Sequence, residues 1–459
     1  MNSFTGVRID GGIHPFQIIQ QNAEGFGRIN CLGQWHSQDG SGVVQLRLVH
    51  ASDSHVVAQS TDWQQAADQQ DPSWSHTFEQ VPAGGLYRIE TRLVVDQDAP
   101  EWGVHGDRVH HIGVGDLWII AGQSNAAGYG RGPALDPPEL GIHILKNEEV
   151  WDVAAQPLND TTRSTHPNLE QANPGHAPYL RFARDLKSAL GYPIGLIQTS
   201  LGGSPLSAWN PDENPGAPLF NNLIHCMKLA GGKARGMVWY QGESDCGISL
   251  ASTYEMRFSS FIKHLRNALD QPELPVILAQ LNRYTEPQDD ESHRGWSIVR
   301  EAQRQAKSSG HITAVSTIDL PISDFIHTSA DGNLTLGSRK ARAALGMVYG
   351  HPIHWRTADV SRAELVEKTT VELTYGHVEN RLLFLGPGQD DFIVQDDIGL
   401  VKITSAACVS RDRVRLELER TIQGHGRIHN AYGAAPPSNL RDGETNVPPL
   451  AFFNLNIET

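Results

Sequence analysis

Three short stretches of this chain combine residue types that break ester bonds. Ser124 stands in "WIIAGQSNAAGYG", residues 118–130, where an apolar run meets Gly, Gln, Ser and Asn. A serine hydroxyl is a weak nucleophile until a base takes its proton, and the base needs a third group to fix its tautomer and stabilise the cation that forms. "SDFIHTS", residues 323–329, supplies both in one loop. Asp324 precedes His327 by three positions, so its carboxylate can reach one ring nitrogen while the other faces Ser124. The oxyanion formed on attack needs preorganised donors. "LGGS" offers Gly202 and Gly203, whose N–H groups carry no side chain to block close approach. The N–H of Ser124 is a second donor, and Gln241 in "YQGESD" is the candidate third. Gln123 and Asn125 flank the serine as accessory residues, Glu243 is a further acid in the same block, and Trp209 and Tyr240 are candidate substrate-contacting aromatics.

Each feature alone has an ordinary explanation. A Ser-Asn pair after a strand commonly caps a helix, one histidine among 21 is usually structural, and "GGS" is by default a turn. Glu243 and Asp245 would serve as solvated loop acids or as caps of the next helix, and Trp209 and Tyr240 as core. The functional reading rests on coincidence, because the polar types follow successive strands in the order a hydrolase site needs.

Those strands are apolar β-type runs, "LWIIA", "IGLIQTS", "GMVWYQG", "PVILAQL" and "TAVSTID". They alternate with "YLRFARDLKSAL", "LFNNLIHCMKLA", "YEMRFSSFIKHLRNAL" and "SIVREAQRQAKS", whose apolar residues recur at helical spacing. Such alternation predicts a parallel sheet covered by helices on both faces, with ligands beyond the carboxyl ends of the strands. Residues 1–111 are instead rich in strand and turn signals, as in "GVVQLRLVHA" and "GGLYRIETRLVV", and β character returns over 356–459 with "VELTYGHVENRLLFLG" and "RVRLELERTI". The expected organisation is an N-terminal β domain (1–111), an α/β hydrolase domain (112–355) and a C-terminal β domain (356–459).

Composition narrows the partners. A net charge of -15 without a basic stripe speaks against nucleic acid and anionic lipid. No stretch approaches the roughly 18 apolar residues of a membrane helix. The opening "MNSFTGVRIDGGIHPF" has neither the basic nor the apolar region of a secretory signal, so the expectation is a cytoplasmic chain or a trimmed secreted one. Four scattered cysteines without a C-x-x-C pair predict buried thiols rather than structural zinc or a disulfide framework.

"GDLWIIAGQSNAAGYG", "TSLGGSPLSAW", "VWYQGESD" and the Asp-Phe-Ile-His loop together resemble the blocks of SGNH-type carbohydrate esterases, in the sialate O-acetylesterase-like and acetyl xylan esterase branch. "VREAQRQA" and "NAYGAAPPSNL" are similar to further segments of the sialate O-acetylesterase-like proteins. The resemblance implies a three-layer α/β/α hydrolase that removes acetyl groups from sugar hydroxyls through an acyl-serine, with no metal or organic cofactor. It implies Ser124 as nucleophile, His327 as base, Asp324 as its partner, and Gly203 and Gln241 in the oxyanion hole. Three departures stand out. Ala126 replaces a common Met and would enlarge the pocket floor, Thr328 replaces a common Pro and would loosen the histidine loop, and block three lacks the usual Asn donor. Some relatives rely on a Glu there, which keeps Glu243 as an alternative acid.

Three other readings compete. An α/β-hydrolase esterase expects G-x-S-x-G and an acid distant from its His, whereas position 126 is Ala and Asp324 lies beside His327. An esterase of the same fold acting on a non-acetyl or non-sugar ester shares the triad. A silent glycan-binding protein would have no reason to keep Ser124, Asp324 and His327 together.

Overall fold

The computed structural model describes residues 5–38, 40–57, 62–164, 166 and 175–458. Its centre is a sheet whose strands are β1 (Val104–Gly122), β2 (Ile142–Leu145), β3 (Trp151–Val153), β4 (Ile194–Gln198), β5 (Gly236–Tyr240), β6 (Val276–Ala279) and β7 (Ile312–Val315). The lateral order is β3-β2-β4-β1-β5-β6-β7. All neighbours are parallel except the β2/β3 hairpin. Strands β4 to β6 are buried along their whole length, as a sheet covered on both faces requires.

The covering helices are α1 (Ser124–Ala127), α2 (Tyr179–Leu190), α3 (Pro218–Leu229), α4 (Ile248–Ala251), α5 (Tyr254–Ala268), α6 (Asp290–Gln305) and α7 (Ala330–Met347). On one face Trp118 meets Phe182 of α2 edge-on at 5.0 Å. Strand alternation turns Trp239 to the other face, where it packs on Phe258 and Phe261 of α5. Three of the four predicted helices appear within a residue or two of their expected bounds. α6 begins earlier, where Asp289 accepts the Ser292 N–H as an N-cap.

β1 spans 19 residues and does two jobs. Its first half pairs antiparallel with Gly84–Val94, and its second half is the middle strand of the parallel sheet. The expected border between residues 111 and 112 therefore falls inside one strand. N-terminal to it, Phe26–His36 alternates buried and exposed residues strictly, and Ile29, Trp35, Val44, Leu46, Trp74 and Ile89 belong to a separate apolar cluster. A third cluster, including Val360, Leu373, Phe392, Val414 and Ile428, forms between the sheets that follow Ala358.

The C-terminal strands are stapled behind α6. Fully buried Arg300 donates to the carbonyls of Leu281, Asn282, Gly433 and Ala434. The Gln280 amide exchanges two hydrogen bonds with the Ala451 backbone. Among the described residues, no helix is long and apolar enough to cross a membrane. Cys31, Cys226 and Cys246 are buried free thiols, and Cys408 is partly exposed.

Candidate active site

β1 ends at Gly122, whose φ of +133° and close approach to Tyr240 O, 2.1 Å from where a Cβ would sit, admit only glycine. The chain then turns into α1. Gln123 holds the cap position without a side-chain cap bond, and Ser124 is the first helical residue. The serine is therefore not the helix cap. It is 7% exposed at the carboxyl edge of the sheet.

The loop after β7 carries His327, whose Nδ1 lies 2.8 Å from Asp324 Oδ2. The second carboxylate oxygen of Asp324 accepts the N–H groups of Ile326 and His327. Partial burial works against the charged form, but those N–H groups and the His327 ring hold the Asp324 carboxyl below its ordinary range. With Nδ1 engaged by Asp324, Nε2 is the nitrogen left to act as base.

Asn125 ties this loop to the serine. Its Oδ1 accepts the Thr328 N–H at 2.9 Å, and its Nδ2 donates to Glu243 Oε1 at 2.7 Å and to Ile326 O at 3.4 Å. The neighbour of Ser124 thus grips the backbone on both sides of His327. Thr328 is fully buried, and its hydroxyl accepts from Asn282 Nδ2 after β6. The expectation that Thr328 loosens the histidine loop is corrected: it supplies an N–H that proline lacks, together with a hydroxyl that accepts a bond. Ala126 lies buried in the central core, not on a pocket floor.

Gly203, after β4, has a φ of +66°, and a Cβ there would meet nothing within 4 Å. Its carbonyl accepts from Ser244 Oγ, which ties Gly202 and Gly203 to the loop after β5. Gln123 Oε1 accepts from Gln241 Nε2, Gly242 N and Ser244 N, closing the β1 loop onto the same segment.

Gln241 is fully buried. Its Nε2 faces Gln123, Ser204 O and Asp245 Oδ2, at 2.5 Å for the last, and its Oε1 accepts from Tyr254. Donation to a substrate oxyanion would cost one of those bonds. Asp245 is no solvated loop acid. It is completely buried, ion-paired to Arg257 at 2.9 Å, and accepts the Leu206 N–H. Burial raises the Glu243 carboxyl above its ordinary value against the opposing Asn125 bond and the nearby His327, and its Oε2 is shielded from solvent without a hydrogen-bond partner.

The assignment of Trp209 and Tyr240 as substrate-contacting aromatics is corrected. Both are fully buried. Trp209 packs edge-on against Trp239 and donates to Ser204 Oγ, while the Tyr240 hydroxyl points at Thr328. The aromatics at the histidine loop are Tyr129, stacked on the His327 ring at 4.9 Å, and Phe325, 45% exposed and edge-on to Tyr284. Both sat in the quoted blocks. Only tertiary packing distinguishes them from the buried pair.

Known proteins similar to this chain include carbohydrate esterases. Residues 114–346 match the family described as carbohydrate esterase, sialic acid-specific acetylesterase. A "Probable carbohydrate esterase" of Arabidopsis thaliana is 29% identical over 255 residues, 50% of this chain and 90% of that protein. Human sialate O-acetylesterase is 28% identical over 198 residues, and the match spans 35% of this chain and 36% of the human protein. The solved structure of a carbohydrate acetylesterase from Xanthomonas citri superposes with a TM-score of 0.69 at 18% identity, covering 97% of this chain and 99% of that one, which shows a shared fold. The matched region takes in the serine loop, the loops after β4 and β5, and the Asp-His loop, and by it this chain belongs to the carbohydrate esterase, sialic acid-specific acetylesterase family and is a carboxylic-ester hydrolase.

Proposed function

We propose that the protein is a carbohydrate O-acetylesterase working through an acyl-serine on a three-layer SGNH-type domain, roughly residues 112–355, flanked by the two β regions. One observation carries the mechanism: the Asp324–His327 pair sits in a loop held at both flanks by Asn125, the residue after Ser124.

In this reading Ser124 Oγ attacks the acetyl carbonyl as His327 Nε2 takes its proton. The oxyanion is held by the N–H groups of Ser124 and Gly203. The tetrahedral intermediate collapses, the sugar oxygen leaves with the proton from His327, and acetyl stays on Ser124. Water, deprotonated by the same nitrogen, attacks the acyl-serine, releasing acetate and restoring the serine hydroxyl. Gln241, with its N–H groups facing protein acceptors, serves by fixing the loops that carry Gln123 and Gly203. No step calls for a metal or organic cofactor.

The family supports an acetylated sugar as substrate, with sialic acid and xylan esters as the first candidates. Acetate release from O-acetylated sialic acid, acetylated xylan and an aryl acetate tests the proposal, wild type beside Ser124→Ala. Turnover on a sugar ester that falls about 10⁴- to 10⁶-fold in the variant supports it. Equal turnover in the two proteins refutes the acyl-serine. Phe325→Ala tests the sugar-contacting aromatic: KM on the sugar ester rises severalfold, kcat on the aryl acetate is little changed, and a KM shift absent from the sugar ester removes Phe325 from the site.

A further inference from the structure

Away from this site, three metal-ligating side chains converge from separate parts of the chain. Glu149 lies in the turn between β2 and β3, His225 on α3, and His166 in the stretch leading to α2. Their ligand atoms all fall within 4.8 Å of one another. His225 Nε2 is 2.8 Å and His166 Nε2 3.4 Å from the same oxygen, Glu149 Oε1, and the two rings lie 5.6 Å apart.

One further observation points to a ligand. The His166 side chain is only 6% exposed, and its Nε2, aimed at Glu149, is shielded from solvent with no hydrogen-bond partner. A buried ring nitrogen left in that state needs an explanation.

We propose that Glu149, His166 and His225 form a binding site for a divalent transition ion of the zinc class. Two imidazoles and one carboxylate are the borderline donor set such ions take, whereas calcium and magnesium require more oxygens. Bonds of about 2.0–2.1 Å in a tetrahedron put neighbouring ligand atoms about 3.4 Å apart. The two histidine–Glu149 separations, 2.8 and 3.4 Å, lie at or below that spacing and all three ligand atoms lie within 4.8 Å, so side-chain shifts would seat the ion, with a position left for water.

The site has a place in the architecture. Asn159 donates to Ser200 O just before the Gly202–Gly203 turn, and His176 bridges to Gly130 beside Tyr129. His166 lies between them in sequence, so an ion bound there links His166 itself to α3 and the β2/β3 turn. The inference stands apart from the esterase mechanism, since its readout is metal binding.

The test uses chelator-stripped full-length protein titrated with Zn²⁺ by calorimetry, and with Co²⁺ by visible absorption. His225→Ala is the variant of choice, because that side chain is half exposed on the outside of α3 and its loss leaves the core packing intact. The expected result is one more equivalent of Zn²⁺ bound by wild type than by the variant, or an affinity at least about tenfold higher. Tetrahedral Co²⁺ bands and a Zn²⁺-dependent rise in Tm should appear in wild type only. Equal stoichiometry, affinity and Tm response in the two proteins, or no binding by wild type, overturns the proposal.

Discussion

His327 has two carboxylates within its surroundings, in opposite environments. Asp324 receives two backbone N–H groups and the ring, and stays ionised below the usual carboxylate range. Burial raises Glu243, whose hydrogen bond goes to Asn125 rather than to the imidazole. In the proposed mechanism the orienting role therefore falls to Asp324, while Glu243 braces Asn125. Asp324→Asn should lower kcat on an aryl acetate about 10²- to 10⁴-fold, because the wrong tautomer is then favoured. Glu243→Gln, which keeps an oxygen for Asn125, should stay within about tenfold of wild type. The reverse ranking would move the catalytic acid to Glu243.

At the scale of elements, the site exists because five loops leave the sheet at one edge and bond to each other. Gln123 closes the β1 loop on the β5 loop, Ser244 closes the β5 loop on the β4 loop, and Asn125 with Asn282 closes the β1 and β6 loops on the β7 loop. Helix α7, which follows the histidine, carries no clear helical period in the sequence because Gly337 and Lys340 occupy buried positions and break the apolar pattern. Gly337 lets α2 approach: a Cβ there would stand 2.4 Å from Pro178 O. Gly337→Ala should cost about 1–3 kcal/mol in chemical denaturation through this overpacking. An unchanged midpoint would show that the helices are free to separate.

For the whole molecule, a buried amine in its centre makes stability depend on pH. Lys340 is completely buried, donates to Trp239 O and Ile277 O, and is lowered by burial from 10.5 to about 7. Between those values the unfolded chain holds a proton that the folded chain has lost. Stability from this group therefore rises with pH from about 7 towards 10.5, by up to about 1.4 kcal/mol per pH unit; on the way down it is lost across that window and levels off below about 7, where both states hold the proton. Lys340→Met should flatten that rise in urea midpoints measured across the window. A wild-type and variant pair with parallel pH profiles would mean that Lys340 keeps its proton in the fold.

Chemistry that depends on residue type at short range was legible in the chain itself. Asp324 and His327 share a loop, Gly122 and Gly203 mark backbone positions that glycine favours, and the apolar runs announce a parallel sheet. Longer-range geometry was decided only by the fold. Trp209 and Tyr240 look like sugar platforms until packing buries them, and Gln241 looks like a free donor until Asp245, Gln123 and Ser204 engage its amide. A single strand, β1, carries the chain from the N-terminal sheet into the catalytic one because its two halves find different partners. The physical reason is common to all of these. Side-chain type and local spacing are written along the chain, whereas burial and hydrogen-bond partners depend largely on segments tens to more than a hundred residues away.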